Sequence, residues 1–441
     1  MNARATLIVD GPVPALSSDV RVPGDKSITH RALFLGGLAS GPTTILRALA
    51  ADDVDATIRV LERLGARIGR RGHALDVERP IDRTAHDPVS LHCGASGTTA
   101  RLLLGVVAGL DRDVTIDGDP GLRARPMARV LRPLASMGLV RPAPAADVLP
   151  VRVHGTTALH ACEHVLDVAS AQVKTALLFA GLSANGVTRV VEPLRTRDHT
   201  ERMLAAFGAR VTTSERAVAV EGPALLCGAT VHVPGDVSAA VALACAAACV
   251  PGSRIRLPDV GLNPTRTGAL DALRSFGVDV VESDRSTQAQ EPRGTLECGG
   301  LPTHSITVGA ADVPRLVDEI PLLAGVAALA PGTSRFLGIG ELRVKESDRI
   351  ETTAATLRAF GAEVETGVDS LIVHGPTRLR AADVDSHADH RIAFLAVALA
   401  LAAPGTSRIR GFEAITKSYP GYLDAIHALL GKAAGRCQST R

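Results

Sequence analysis

Only five of the 48 basic residues are lysine, and four of the five stand in short motifs rich in charge, hydroxyl and glycine. Lys26 lies in Val22-Pro23-Gly24-Asp25-Lys26-Ser27-Ile28-Thr29-His30-Arg31, and Lys174 closes Ala169-Ser170-Ala171-Gln172-Val173-Lys174. Lys345 lies in Glu341-Leu342-Arg343-Val344-Lys345-Glu346-Ser347-Asp348-Arg349, and Lys417 opens Lys417-Ser418-Tyr419-Pro420. In a chain that otherwise uses arginine, a retained lysine points to a need for a compact, movable ammonium, and so to sites that handle small anions. Arg31, Arg125, Arg197, Arg349 and Arg391 add guanidinium groups from both halves, mostly at turns or expected helix starts. Free backbone N–H groups at such starts attract anions. Two carboxylates stand out against these cations: Asp318 in Leu316-Val317-Asp318-Glu319-Ile320-Pro321, and Glu346. Should the helix starts converge on a cleft, the cleft is strongly cationic, and proton transfer is the natural reason for an acid pair inside it.

Several weaker signals have ordinary readings. Gly24-Asp25-Lys26-Ser27 opens a helix, but GxxxxGK[ST] is absent, so nucleotide binding has little support. Gly94-Ala95-Ser96-Gly97-Thr98-Thr99 is a second glycine and hydroxyl turn, where Gly97 lets the backbone approach a ligand. The run Gly118-Asp119-Pro120-Gly121-Leu122-Arg123-Ala124-Arg125-Pro126 reads by default as a solvated basic turn. Asp198-His199 and Asp389-His390 each read as a capping Asp followed by a packed His. Lys345 and Arg349 are expected at i, i+4 on one helical face, with Glu346 beside them.

The elements that must position these residues recur six times. An amphipathic helix ends at a hydrophobic–glycine pair at Gly65, Gly138, Gly208, Gly277, Gly361 and Gly431, roughly 70 residues apart with one longer step before Gly361. A short β-branched strand precedes each glycine, as in Thr43-Thr44-Ile45, Val114-Thr115-Ile116 and Ser407-Arg408-Ile409, and further strand-like runs follow several. Val22-Pro23-Gly24-Asp25-Lys26-Ser27 is echoed half a chain later by Val233-Pro234-Gly235-Asp236-Val237-Ser238. The spacing therefore predicts an α/β fold of two similar lobes with three repeats each. One lobe is expected over residues 23–232, the other over 1–22 plus 233–441, with the active site in the cleft between them.

Composition narrows the function. A net charge of +2 and 2% aromatic residues without Trp argue against a nucleic-acid partner. The apolar runs at 239–250 and 392–403 are too short to span a bilayer, so no membrane association is expected. Met1-Asn2-Ala3-Arg4 begins no long apolar run, which leaves little room for a cleavable leader before the first motif. Seven scattered cysteines without CxxC fit a reducing cytoplasm, and Cys245 and Cys249 read as buried small apolar groups.

Taken in order, GDKSITHR, GASGTTARLL, RARPMAR, ASAQVK, RTRDHT, VDEIP, RVKESDR, ADHRIA and KSYPGY resemble the 3-phosphoshikimate 1-carboxyvinyltransferase (enolpyruvylshikimate-phosphate synthase) family over residues 22 to 430. The resemblance implies two lobes of three βαβαββ units, an inside-out α/β barrel type with helices inside and sheets outward. It implies transfer of the enolpyruvyl group of phosphoenolpyruvate to the 5-hydroxyl of shikimate 3-phosphate, within the shikimate pathway to chorismate and the aromatic amino acids. On the matching positions, Lys26, Ser27, Arg31, Ser170, Ala171, Gln172, Arg197, Asp318 and Lys345 would hold shikimate 3-phosphate. Lys26, Gly97, Arg125, Arg349, Arg391 and Lys417 would hold phosphoenolpyruvate. Asp318 would act as base, and Glu346, assisted by Lys26, as acid. The resemblance further implies no metal or other cofactor, a cytoplasmic monomer, and room for glyphosate beside Gly97. The chain departs from the pattern at Ala95, where members usually carry Asn, and a polar contact is lost there. A sister enolpyruvyltransferase acting on a UDP-aminosugar is the near rival, but residues 105–125 lack the cysteine typical of its loop. A non-catalytic anion-binding repeat protein is the distant rival, and it leaves Asp318 and Glu346 unexplained.

Overall fold

Each of the six repeats contributes one helix that is buried along nearly its whole length: Lys26–Leu38, Gly97–Ala108, Ala171–Gly181, Val237–Cys249, Ile320–Leu329 and His390–Ala402. The computed structural model describes residues 5–143, 147–288 and 290–440, so the first four residues, read above for a leader, lie outside the described residues. These inner helices are rich in Ala, Leu and Gly because they pack on one another rather than on water. Gly97–Ala108 packs on both Lys26–Leu38 and Ala171–Gly181, and the last three inner helices all touch each other. A Cβ on Gly105 would lie 2.1 Å from the Ala176 carbonyl oxygen, so two inner helices meet backbone to backbone and no larger residue fits. Close approach of small residues explains how the core does without tryptophan.

Contacts divide the chain into two compact units: one of Met1–Pro23, Pro234–Thr287 and Pro292–Arg441, the other of Gly24–Val233 with Gln288–Glu291. The boundaries fall one residue beyond those expected, and the turn at 288–291 groups with the second unit. Each unit has three small sheets, and most share one plan: a short strand pairs in parallel with a central strand that is also antiparallel to a following one. Thr230–His232 beside Thr43–Leu46 and Ala74–Arg79 shows the plan, with Ile45 opposite Leu75. Where the parallel strand is missing, beside Arg254–Gly261, isolated parallel bridges from Asp19 to Arg256 and from Gly235 to Val260 stand in for it. Central strands alternate buried and exposed residues, as Asp113–Asp117 does, which puts one face on the inner helices and one in water. Among the described residues the six sheets stay separate and none closes into a barrel.

The second helix of each repeat ends at the expected glycine. All six glycines have positive φ, from 54° at Gly431 to 116° at Gly138, which explains why a residue without Cβ stands there. The long step before Gly361 accommodates the extended strands Asp279–Gln288 and Glu291–Gly299.

Candidate active site

In the unit built on residues 24–233, the motifs occupy the first turns of the inner helices. Asp25 caps the Lys26–Leu38 helix by accepting from Ile28 N at 2.9 Å, which fixes Lys26 and Ser27 as its first two residues. Lys26 is partly exposed and its ammonium pairs with Asp53. Arg31 is 2% exposed: Nε donates to Thr200 Oγ1 at 2.8 Å, Nη2 to Thr175 Oγ1 at 3.0 Å and Nη1 to the Ser27 carbonyl at 3.0 Å. Gln172 ties two first turns together, accepting from Arg101 Nη1 at 2.9 Å and donating to Thr98 Oγ1 at 3.0 Å. Ser170 caps its helix through Val173 N, with Ala171 beside it, and Arg197 lies two residues before the helix His199–Ala206. These side-chain bonds require the first turns to lie at the same end of the unit. His30 beneath them is buried, and burial with the nearby Lys26 charge holds its pKa down to about 3, so it adds no charge at neutral pH.

In the other unit, Arg349 is the hub. Its guanidinium is 2% exposed and bonds through all three nitrogens: Nε to Asp389 Oδ2 at 2.8 Å, Nη1 to Asp318 Oδ1 at 3.2 Å, and Nη2 to Glu346 Oε2 at 2.6 Å. Burial alone would lower its pKa, but Asp389, Glu346 and Asp318 together outweigh that and raise it. Lys345 Nζ sits 3.4 Å from Asp318 Oδ1. Arg391 is nine-tenths buried, with Nη1 3.3 Å from Glu319 Oε1, and among the described residues its Nε and Nη1 have no hydrogen-bond acceptor. Lys417 Nζ donates to the Ala388 carbonyl at 2.8 Å. Ala388 and His387 both have positive φ, 56° and 53°, so the turn delivering Asp389 to Arg349 carries backbone strain of about 1–3 kcal/mol per residue. His390 is neutral as well: burial, then the adjacent Arg391, holds its pKa down to about 3.

Three expectations need correction. Lys345 and Arg349 do not share a helical face, because a 3-10 turn ends at Val344 and the next helix starts only at Arg349, capped by Asp348. They nonetheless meet at Asp318. Lys174 is no anion site: it is 1% exposed and pairs with Glu192 at 2.8 Å and Glu201 at 2.7 Å. Asp389 does cap its helix, through Arg391 N at 2.9 Å, but Asp198 makes no such cap and turns to Arg195 and Arg202. A Cβ at Gly97 would lie 2.8 Å from Arg101 Nη1 and 2.9 Å from Arg125 Nη1, so the absent side chain lets both guanidinium groups approach this turn.

The chain as a whole is similar to known proteins. The family model for EPSP synthase (3-phosphoshikimate 1-carboxyvinyltransferase) matches residues 11–426. The chain belongs to the EPSP synthase family. A 3-phosphoshikimate 1-carboxyvinyltransferase of Geobacillus thermodenitrificans (strain NG80-2) is 42% identical over 422 residues, covering 95% of this chain and 98% of the relative. One from Synechococcus elongatus is 43% identical, covering 94% of each chain. A solved EPSP synthase structure from Acinetobacter baumannii superposes with a TM-score of 0.85 at 33% identity, over 99% of this chain and 100% of that one. The enolpyruvyl transferase NikO from Streptomyces tendae, 19% identical with a TM-score of 0.78, shares the fold. The chain is thus an enolpyruvyl transferase of the EPSP synthase type, which moves the enolpyruvyl group of phosphoenolpyruvate to shikimate 3-phosphate in aromatic biosynthesis. Among the described residues, no helix is long and apolar enough to cross a membrane.

Three residues of the site were not singled out from sequence. Asp53, which holds Lys26, is one of three acids in the first turn of its helix, where dipole complementarity already explains an acid. The sequence marks Asp389 only as a helix cap, and Glu319 only as the neighbour of Asp318. Tertiary pairing of this kind leaves no local signal.

Proposed function

We propose that Asp318 and Glu346 divide the proton transfers of the family reaction between them, on substrates held by lysines and arginines of the chain. Asp318 takes the proton of the 5-hydroxyl of shikimate 3-phosphate as that oxygen bonds to C2 of phosphoenolpyruvate. Glu346, assisted by Lys26, gives a proton to C3, which becomes a methyl group. The tetrahedral adduct then returns a C3 proton to Glu346 while the C2–O bond to phosphate breaks and the C2–C3 double bond re-forms. Asp318 passes the hydroxyl proton to the departing phosphate, so protons and charge balance across the two steps and both carboxylates return to their starting state. Lys26, Ser27, Arg31, Ser170, Ala171, Gln172, Arg197 and Lys345 hold shikimate 3-phosphate, which also meets Asp318. Lys26, Gly97, Arg125, Arg349, Arg391 and Lys417 hold phosphoenolpyruvate.

One observation carries this reading: Arg349 draws Asp318 and Glu346, distant in sequence, onto adjacent nitrogens of one guanidinium. A bidentate cation fixes two carboxylates in a way that flexible surface pairs do not. Phosphate release from phosphoenolpyruvate tests it, with shikimate 3-phosphate and, separately, a UDP-aminosugar as acceptor. Release is expected only with the former. Release with the aminosugar alone, or with neither, would overturn the assignment. A cytoplasmic monomer belongs to the same proposal, and sedimentation should return a mass near 45.7 kDa.

A further inference from the structure

The second copy of the Pro-Gly-Asp segment carries Val237 where the first carries Lys26, yet its polar residues are not idle. Asp236 caps the Val237–Cys249 helix through Ser238 N at 2.8 Å. Ser238 Oγ donates to Glu319 Oε1 and accepts from Arg266 Nη2 at 2.7 Å. The same Glu319 oxygen lies 3.3 Å from Arg391 Nη1. Glu319 is 2% exposed, and neither Asp318 nor Glu346 is bonded to it in the contacts described above.

Arg391 differs from Arg349 in one respect that matters. Arg349 is engaged through all three nitrogens, whereas Nε and Nη1 of Arg391 are buried donors with no hydrogen-bond acceptor among the described residues. A buried guanidinium with a counter-charge beside it and unbonded N–H groups is oriented rather than consumed, which suits a group that must meet a carboxylate or phosphate. We infer that Glu319, anchored by Ser238, is a positioning residue that sets the angle of Arg391 toward phosphoenolpyruvate; this rests on the reading of Arg391 as a phosphoenolpyruvate-binding group. The second Pro-Gly-Asp copy thereby serves the reaction through its serine, although it lacks a lysine.

Initial rates with each substrate varied at saturation of the other test this, in Glu319→Ala, Glu319→Gln and Arg391→Met, together with thermal unfolding. Glu319→Ala is expected to lower kcat/KM for phosphoenolpyruvate about tenfold, at an unchanged KM for shikimate 3-phosphate. Glu319→Gln, which keeps the oxygen that accepts from Ser238 and holds it beside Arg391, should recover to within about twofold of the parent. Equal shifts in the Ala and Gln variants would make Glu319 a counter-charge only and overturn the inference. A lowered Tm with both KM values unchanged would make it purely structural and overturn it too. Should Glu319→Ala not fold, Ser238→Ala, which releases the carboxylate without removing it, is expected to show the same loss specific to phosphoenolpyruvate at about threefold, and no loss would count against the inference. An inert Arg391→Met would instead remove the site reading and the inference with it, whereas a strong Arg391 effect beside an inert Glu319 removes the inference alone.

Discussion

Replacing Lys174 by Met separates a structural lysine from the ligand lysines around it. The ammonium lies 2.8 Å from Glu192 and 2.7 Å from Glu201, and the three side chains are 1%, 5% and 7% exposed. Met has the length of the lysine stem but no charge, so the change leaves two buried carboxylates without their cation. Breaking a buried ion pair from one side costs about 3–5 kcal/mol. In a unit of this size each kcal/mol shifts Tm by about 2–4 °C, so a fall of about 10 °C is expected. The loss should depend on pH. Burial raises the Glu201 pKa above its ordinary 4.5, and Lys174 is the main group opposing that rise. A carboxyl whose folded pKa is raised binds its proton more tightly when folded, so stability grows as pH falls through the folded value and levels off below the unfolded one. Without Lys174 the pKa rises further, and the deficit should be largest near pH 8 and shrink toward pH 5. Thermal unfolding at both pH values, beside KM for shikimate 3-phosphate, reads this out. An unchanged Tm with a raised KM would refute the structural reading and return Lys174 to the anion site.

Asp389→Asn keeps an oxygen for the helix cap but removes the charge facing Arg349, which retains Glu346 and Asp318. A stability loss of about 2 kcal/mol and a roughly tenfold higher KM for phosphoenolpyruvate are expected from urea unfolding and initial rates. His30 and His390, both held neutral with pKa values of about 3, titrate near 6.5 when unfolded, so stability should be level above pH 6.5 and fall as pH drops from there toward 3. Each contributes up to about 1.4 kcal/mol per pH unit, and His30→Gln should flatten that limb in urea unfolding between pH 5 and 7.5; an identical slope would contradict the assignment. Lys26→Met should abolish turnover with the far-ultraviolet circular dichroism unchanged, and near-normal rates would take Lys26 out of the site.

The repeat was legible because its marks are local. A glycine must stand where φ is positive, as at Gly65 and Gly361, and an all-apolar stretch such as 239–249 can only be an inner helix. The roles of Asp53, Glu319 and Lys174 were not legible, because each depends on a partner set by packing between repeats rather than by sequence spacing. The Lys345–Arg349 spacing misled for a related reason. Asp348 starts the helix only at Arg349, so a separation of four residues that would align two side chains on a helix carried no such meaning. Both cations nonetheless reach Asp318, through a bend that no periodicity encodes.

Deuterium incorporation tests the assignment of Glu346 most directly. In heavy water with phosphoenolpyruvate and shikimate 3-phosphate, the parent protein should place deuterium in the vinyl methylene of the product, because the C3 methyl formed in the adduct loses one of three hydrogens. In Glu346→Gln, exchange and turnover should both fall about a thousandfold while dissociation constants for the two substrates stay within about threefold of the parent. Near-normal exchange in that variant, or binding lost in step with rate, would contradict Glu346 as the group that moves the C3 proton.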